Sequence, residues 1–321
     1  MRVLIAGGAG ALGSSFVKLC LDRGYEVTVL DVVREPEAWR LDDLGVRGGV
    51  RYVWKATQDL SRRDVEDAGV VVDSAAMADR PMGTTSPSFT LFENIQGPLR
   101  LLEVCREIEP KPFLIYPSSL VEFLGVPRNE QPITENTRPK PTSFYGLSKW
   151  MAEELYLQYH RTFGIPVLIT RTGSAFGPRM REDEFVARCI RSALEGKEIV
   201  VKSPRASRAW TFAGDVGRFN ELVLKKLEKN RGALDGLVLH NAGSKTSSPL
   251  TNLDIAELCH ELVGSEPKIA EGGYEEGEKI GGEPVCQLVK SDLSWDVLGW
   301  KPQYSVRDAL KETIGWFRDR G

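Results

Sequence analysis

Short apolar runs and amphipathic stretches alternate along the first half of the chain. Residues 3–6 form a continuous apolar run that ends in glycine, which is typical of a buried parallel strand. The stretch after the glycines carries apolar residues at helical spacing. Similar runs predict strands at residues 27–31, 50–54, 70–73, 113–117 and 166–171. This alternation indicates an α/β fold, a Rossmann-type doubly wound parallel sheet whose ligands bind at the carboxyl ends of the strands.

The alternation becomes irregular after residue 171. Periodic segments predict helices at residues 183–194, 253–263 and 306–317, and a short strand at 198–201. A helix at 215–227 and an apolar strand at 237–240 predict one return of the chain to the main sheet. We therefore expect a first domain of residues 1–171 together with roughly 213–245, and a smaller carboxyl-terminal α/β domain of residues 172–212 and 246–321.

The composition narrows the class of protein. A charged fraction of 27% and a hydrophobic fraction of 41% are those of a globular protein. The net charge of -3 argues against nucleic acid as the main partner, and the first apolar run is too short for a signal peptide or a membrane span. Five scattered cysteines favour a reducing, cytoplasmic compartment, and three histidines without ligand spacing predict no metal site.

A glycine-rich segment directly follows the first predicted strand. Gly7, Gly10 and Gly13 would let the chain turn tightly and approach a pyrophosphate, which the next helix would bind at its amino terminus. Asp31 ends the second strand, close to the spacing of about 20 residues at which a carboxylate takes the ribose hydroxyls of NAD. That carboxylate would repel a 2′-phosphate and so favours NAD, while Arg34 nearby leaves NADP as the alternative.

Tyr145 and Lys149 are four residues apart in a segment with helical periodicity. Such a pair lies on one face of a helix, so the lysine ammonium can lie close to the phenol. A nearby positive charge lowers the pKa of a tyrosine from its ordinary value of about 10. The tyrosine could then exchange a proton with a substrate hydroxyl near neutral pH. Because Tyr-x-x-x-Lys is common by chance, this prediction depends on a hydride acceptor bound beside it.

Further short motifs follow one another along the whole chain: Asp59-Leu60, Ala75-Ala76, Asn94-Ile95-x-Gly97, Ser118-Ser119, Glu153, Arg171 with Gly177-Pro178, Arg208-x-Trp210-x-Phe212, Asp215-Val216 and Leu298-Gly299-Trp300-x-Pro302. With the glycine loop and the Tyr-Lys pair, these motifs make the chain resemble the extended short-chain dehydrogenases/reductases of the nucleotide-sugar epimerase/dehydratase family. The resemblance implies an NAD-binding first domain, a nucleotide-sugar-binding second domain, and a homodimer joined through helices near residues 89–106 and 145–163. Core packing within the monomer is the alternative explanation for the apolar residues on more than one face of these two helices.

The resemblance also implies roles for individual residues. Tyr145 would transfer the proton, Lys149 would activate it and bind the nicotinamide ribose, and Ser119 would hydrogen-bond the reacting sugar oxygen. Arg208 matches the arginine that grips the nucleotide diphosphate, with a surface ion pair as the alternative. NAD would be held by Gly7, Gly10, Ala11, Leu12, Gly13, Asp31, Asp59, Leu60, Ala75, Ala76, Asn94, Tyr145 and Lys149.

Four departures from the family pattern concern the substrate. Leu120-Val121 replaces the acidic pair that 4,6-dehydratases carry after the serine, so dehydration or decarboxylation by that route is not expected. Asp73-Ser74 stands where many epimerases have His-Leu, and Ser174 stands where an asparagine usually touches the sugar or diphosphate. Arg80 lies in an unusual loop and could meet a carboxylate or phosphate, or be a solvated loop arginine.

These observations favour an NAD-dependent epimerase of a nucleotide-diphosphate sugar, most simply at C4. The alternative is a net oxidoreductase of the same family, either a 4-keto-sugar reductase or a dehydrogenase of a small hydroxy compound. A cofactor-sensing regulatory protein is a third possibility, but it would have no use for Ser119, Tyr145 and Lys149 together. Neither the nucleotide nor the sugar can be read from these motifs.

Overall fold

A seven-stranded sheet forms the centre of the computed structural model, which describes residues 1–78, 84–245, 249–275 and 277–320. The strand order is β10-β6-β5-β4-β1-β2-β3, and β3, β2, β1, β4 and β5 pair in parallel. The strands of this sheet are β1 (Arg2–Ala6), β2 (Glu26–Asp31), β3 (Val50–Trp54), β4 (Val70–Asp73), β5 (Phe113–Ser119), β6 (Val167–Thr172) and β10 (Leu237–Asn241). The predicted Rossmann-type sheet and the return of the chain to it are confirmed.

Three pairs of short strands lie outside that sheet. Parallel pairs join β7 (Ser174–Phe176) to β9 (Trp210–Phe212) and β8 (Ile199–Val201) to β11 (Ile269–Glu271). An antiparallel pair joins β12 (Lys279–Ile280) to β13 (Glu283–Pro284). Of these six strands, only β8 has a counterpart among the predicted strands.

Helices follow most of the strands. In chain order they are α1 (Ala11–Asp22), α2 (Trp39–Asp43), α3 (Arg62–Val65), α4 (Pro87–Arg106), α5 (Phe144–Phe163), α6 (Phe185–Glu195), α7 (Ala213–Lys229), α8 (Asn252–Val263), α9 (Asp292–Leu298) and α10 (Val306–Arg318). No helix in the described ranges is both long enough and apolar enough to cross a membrane.

Helix α5 is fixed at both ends and along its buried face. The Ser143 hydroxyl accepts a hydrogen bond from the Gly146 N–H at its start, and Gly164 ends it in the left-handed conformation that glycine tolerates (φ 64°). Within the helix, the buried Glu153 carboxylate pairs with the guanidinium of Arg171 on β6. These contacts hold the helix that carries Tyr145 and Lys149 in one position against the sheet.

Two compact units divide the chain. The first consists of residues 1–119, 143–171 and 220–239, and the second of residues 120–142, 172–219 and 240–321. The segment 120–142 therefore groups with the second unit, although the sequence pattern led us to place it in the first. The reason is local packing, since Leu120, Phe123 and Ile133 share a core with Ala209 and Ala242.

Each unit has its own hydrophobic core. In the first, apolar residues of the sheet, such as Leu4, Val71 and Leu114, pack with α4 and α5. In the second, α6, α8 and α10 pack around β7 and β9. The second unit also holds a buried joint, where the Trp300 indole N–H donates to the Asp215 carbonyl oxygen (3.0 Å) and the Asp215 carboxylate accepts the N–H groups of Gln303 and Tyr304.

Candidate functional site

The segment that leads from β1 into the first turn of α1 leaves no room for side chains at two of its glycines. Gly7 has a φ of 72°, and a Cβ there would lie 2.6 Å from the backbone nitrogen of Ala75. A Cβ on Gly13 would lie 2.1 Å from the Gly7 carbonyl oxygen. The glycines therefore allow β1, the loop after β4 and the first turn of α1 to approach one another, as a pyrophosphate cradle requires.

The amino terminus of α1 is arranged to bind an anion. Its N-cap residue, Gly10, provides no side-chain cap. Ala11 is exposed and Leu12 half-buried, so backbone N–H groups of the first turn and the positive end of the helix dipole can face phosphate groups. The cofactor contacts of Gly10, Ala11 and Leu12 stay predictions.

Asp31 is held rigidly at the carboxyl end of β2. One carboxylate oxygen accepts the Ala9 N–H (2.9 Å) and the other accepts the Val33 N–H (3.0 Å). Each oxygen keeps a second lone pair, so the carboxylate can still accept ribose hydroxyls. The guanidinium of Arg34 lies over the ring of Trp54, 5.5 Å from its centroid. Arg34 is thus engaged in a cation–π contact.

The remaining predicted cofactor residues border the same edge of the sheet. Asp59 is exposed at the end of a 3₁₀ turn after β3, while Leu60 is buried and its carbonyl oxygen accepts from the Arg100 guanidinium (2.6 Å). Ala75 and Ala76 follow β4, where the Ser74 hydroxyl donates to the Ala6 carbonyl oxygen. These residues and the glycine loop form a cradle that fits NAD.

Asn94 on α4 holds the backbone at one border of this cradle. Its amide oxygen accepts the Met77 N–H (2.7 Å), and its amide nitrogen donates to the Met77 carbonyl oxygen and to the Ser148 hydroxyl. Both amide hydrogens are therefore used within the protein. Asn94 fixes the backbone just after Ala75-Ala76 and ties it to α5, and its direct contact with the cofactor stays a prediction.

The three predicted catalytic residues lie in the first unit. Ser119 ends β5, Tyr145 is half-buried in the first turn of α5, and Lys149 is buried one turn later. The Lys149 ammonium donates to the Pro117 carbonyl oxygen (2.7 Å) and lies 4.1 Å from the centroid of the Tyr116 ring. Because an i,i+4 pair shares one helix face, Lys149 and Tyr145 can act together.

Arg208 and Ser174 lie in the second unit. The guanidinium of Arg208 is nearly fully buried and forms an ion pair with the carboxylate of Glu278, which is also buried. Ser174 begins β7, and its N–H donates to the Ala209 carbonyl oxygen (3.0 Å). The motifs quoted above did not include Glu278, because the glutamate follows Arg208 only after a long separation along the chain. Arg80 lies outside the described residues.

One absence and one addition complete the description of the site. In the part of the chain that the structure describes, no cluster of His, Cys, Asp or Glu could hold a metal ion. A buried carboxylate, Asp73, lies at the end of β4 beside the cradle. Its only signal in the sequence was the departure from His-Leu at residues 73–74.

Fold and cradle together define an NAD-binding α/β enzyme. The model of the NAD dependent epimerase/dehydratase family matches residues 3–234, and the chain belongs to this family. The resemblance inferred from the motifs is therefore confirmed, as are the enzymatic class and the NAD cofactor.

Relatives of this chain carry the names of epimerases, dehydratases and glycan biosynthesis proteins. The low-salt glycan biosynthesis protein Agl12 of Haloferax volcanii is 29% identical, over 99% of this chain and 98% of that protein. The uncharacterized UDP-glucose epimerase YtcB of Bacillus subtilis is 27% identical, over 98% of each. The structure of DesIV, a dTDP-glucose 4,6-dehydratase of Streptomyces venezuelae solved with NAD bound, has a TM-score of 0.86 and 25% identity and covers 99% of this chain and 97% of its own.

Proposed function

We propose that this protein is an NAD-dependent epimerase of a nucleotide-diphosphate sugar that acts at C4 through a transient keto-sugar. The observation that carries the proposal is the placement of Tyr145 one turn before the buried Lys149, on a helix at the edge of the sheet that bears the NAD cradle. Similarity to relatives named as UDP-glucose epimerases supports the substrate class. The finer assignment to C4 rests on the motif resemblance.

Each catalytic residue has a separate task in this proposal. When bound, NAD supplies the reversible two-electron oxidation of the sugar carbon. Tyr145 accepts the proton of the C4 hydroxyl and later returns a proton to the same oxygen. Lys149 favours the phenolate through its charge, and Ser119 hydrogen-bonds the reacting oxygen. Between the oxidation and the reduction the keto-sugar rotates and presents its other face, so the configuration at C4 is inverted with no net change in cofactor.

Arg208 would bind the diphosphate of the substrate, because a guanidinium offers a planar set of donors that matches phosphate oxygens. Ser174, and Arg80 in its loop, would contact the sugar or the diphosphate. The residues after Ser119 support epimerisation over dehydration. Leu120 is buried and Val121 carries no ionisable group, so neither can move a proton to or from the sugar carbons.

The predicted homodimer would bury an apolar strip on α4 and α5. Phe89 and Phe92 on α4, and Met151 and Phe163 on α5, are among the exposed large apolar residues, with Phe92 the most exposed at 55%. Covering such side chains by a second copy would remove them from water. All five cysteines are free thiols, which supports the cytoplasmic location that we infer from their spacing.

An NMR time course would test the epimerase proposal. The purified protein is incubated with UDP-, dTDP-, GDP- and CDP-sugars and a trace of NAD. We expect one sugar to convert to a C4 stereoisomer until the two reach an equilibrium mixture, with no net NADH. Conversion that requires stoichiometric cofactor would instead show a net oxidoreductase, and a 4-keto-6-deoxy product would show a dehydratase.

Tyr145→Phe tests the role of Tyr145 in the mechanism, since it removes only the phenolic hydroxyl. We expect turnover to fall by about 10²-fold to 10⁴-fold, the usual contribution of a general acid–base group. NAD binding should persist, measured by fluorescence or calorimetry. Activity equal to that of the unaltered protein would disprove the assigned role of Tyr145.

A further inference from the structure

Asp73 is a buried acid next to the proposed catalytic helix and has no role in the function proposed above. It is the last residue of β4 and is 1% exposed. In the sheet it lies beside Ala6 of β1, the residue that immediately precedes the glycine loop. Its carboxylate accepts a hydrogen bond from the Tyr156 hydroxyl (2.6 Å). A carboxylate buried this deeply needs compensation by hydrogen bonds or by a positive charge.

Stacked tyrosines connect Asp73 with Lys149. The rings of Tyr156 and Tyr116 are stacked with centroids 4.6 Å apart and planes inclined by 19°. The Lys149 ammonium lies 4.1 Å from the centroid of Tyr116. Lys149, 3% exposed, and Asp73 therefore lie in one buried cluster between β4, β5 and α5.

The titration of this cluster reflects electrostatic coupling. Burial raises the pKa of the Asp73 carboxyl above its ordinary value, while the Tyr156 hydroxyl and the Lys149 ammonium act in the opposite direction. Burial raises the pKa of Tyr156 on α5 well above its ordinary value, and the charge of Asp73 acts in the same direction. It also adds to the burial that raises the pKa of Cys105 on α4 to about 12.

We propose that Asp73 is a positioning residue that serves as the internal counter-charge of Lys149 and so sets the pH at which Tyr145 ionises. The ammonium favours the phenolate of Tyr145, and the Asp73 carboxylate offsets part of that effect. A negative charge raises the proton affinity of every group near it, so Asp73 keeps the proton on the Lys149–Tyr145 pair to a higher pH. This role rests on the proposed function of Tyr145 and Lys149.

The test follows the ionisation of Tyr145 directly in the NAD-bound protein. Ultraviolet difference absorbance reports tyrosinate, and subtraction of the titration of Tyr145→Phe isolates the signal of Tyr145. In Asp73→Asn we expect this titration to move to lower pH by about one unit. In Lys149→Met, which removes the positive charge, we expect it to move to higher pH. Opposite shifts from the two variants are the signature of a counter-charge.

Cys105→Ala supplies the matched packing control, because it disturbs the same cluster without changing its charge. We expect it to leave the Tyr145 titration in place. Circular dichroism and a cooperative thermal transition establish that each variant is folded, and saturating NAD keeps each variant in the bound state. If the role of Asp73 is purely structural, Asp73→Asn should lower the melting temperature and leave the Tyr145 titration unmoved, and this result would overturn the proposal. A shift of the Tyr145 titration to higher pH in Asp73→Asn, the direction expected for Lys149→Met, would overturn it as well.

The two proposals can fail separately. A Tyr145 signal near neutral pH that Asp73→Asn does not move would remove the role of Asp73 alone. If the unaltered protein and Tyr145→Phe instead show the same titration near neutral pH, Tyr145 does not ionise there. In that case both the acid–base role of Tyr145 and the role of Asp73 are wrong. Because the measurement needs no turnover, the absence of a substrate from the sugar panel does not affect it.

Discussion

Burial decides the chemistry of the cysteines at the residue scale. Desolvation raises the pKa of Cys20, Cys105 and Cys189 to about 12, and raises that of Cys259 well above its ordinary value. Cys286 is only partly buried. Because the thiolate is the reactive form, the four buried thiols are chemically inert in the folded protein.

A thiol-reactive dye should therefore distinguish one cysteine from the other four. We expect rapid labelling of about one thiol per chain at mildly alkaline pH in the folded protein, and of all five after denaturation. Mass spectrometry of the folded sample should locate the label on Cys286, and Cys286→Ser should abolish it. Rapid labelling of Cys20 or Cys105 would contradict the burial described above.

Predictions from the sequence were most informative for residues whose role is fixed by local chain geometry. Gly7 and Gly13 could be identified because a tight turn before a helix excludes side chains. Tyr145 and Lys149 could be paired because the helix sets their spacing. The ion pair of Arg208 with Glu278 could not be predicted, since it depends on how distant segments of the chain fold together.

At the scale of elements, the joint between β1 and α1 depends on the absence of a side chain at residue 13. A Cβ on Gly13 would displace the Gly7 carbonyl oxygen, 2.1 Å away, and with it the N–H groups proposed to bind phosphate. We expect Gly13→Ala to weaken NAD binding by about tenfold or more, measured by calorimetry.

Gly315→Ala in α10 is the matched control for that substitution. Apart from the residue's chain neighbours and the backbone of its own helix, no atom lies within 4 Å of the added Cβ, so NAD affinity should be unchanged. Replacing glycine in a helix interior should also stabilise the protein by about 0.5–1 kcal/mol. Equal NAD affinity in both variants would mean that the close approach at Gly13 does not govern cofactor binding.

The joint between α7 and the segment after α9 depends on Trp300. Its fully buried indole donates to the Asp215 carbonyl oxygen and meets the Phe219 ring edge-on at 5.5 Å between centroids. Trp300→Ala should lower the free energy of unfolding by about 3–5 kcal/mol, through the cavity and the lost hydrogen bond. Denaturant titration measures this change.

Trp295→Ala gives the comparison on the same helix-and-turn segment. The Trp295 side chain is 51% exposed, so its loss should cost less than about 1 kcal/mol. Similar destabilisation by the two substitutions would contradict the assignment of Trp300 as the buried anchor.

Long buried strands and helices were predictable because their apolar periodicity is sustained. The two- and three-residue strands β7, β9, β11, β12 and β13 could not be predicted, because two or three residues are too few to show a periodic pattern of apolar positions. The grouping of segment 120–142 with the second unit was hard to predict for a related reason. Its apolar residues show that it is buried but not which core receives them.

For the whole molecule, the family and fold follow from motifs spread along the entire chain, and the family match confirms them. Substrate identity is different in kind. It depends on side chains of several loops rather than on a repeated pattern. The sugar panel described above therefore addresses what pattern and fold leave open.

The division of the chain into units also bears on how such genes can change. Each unit is assembled from three separate stretches, and the stretches alternate along the chain. A single recombination crossover with a related gene would therefore leave at least one unit built from two parents. Exchange of the second unit alone would require several coordinated crossovers, so new substrate preferences should arise mainly through point substitutions rather than through exchange of modules.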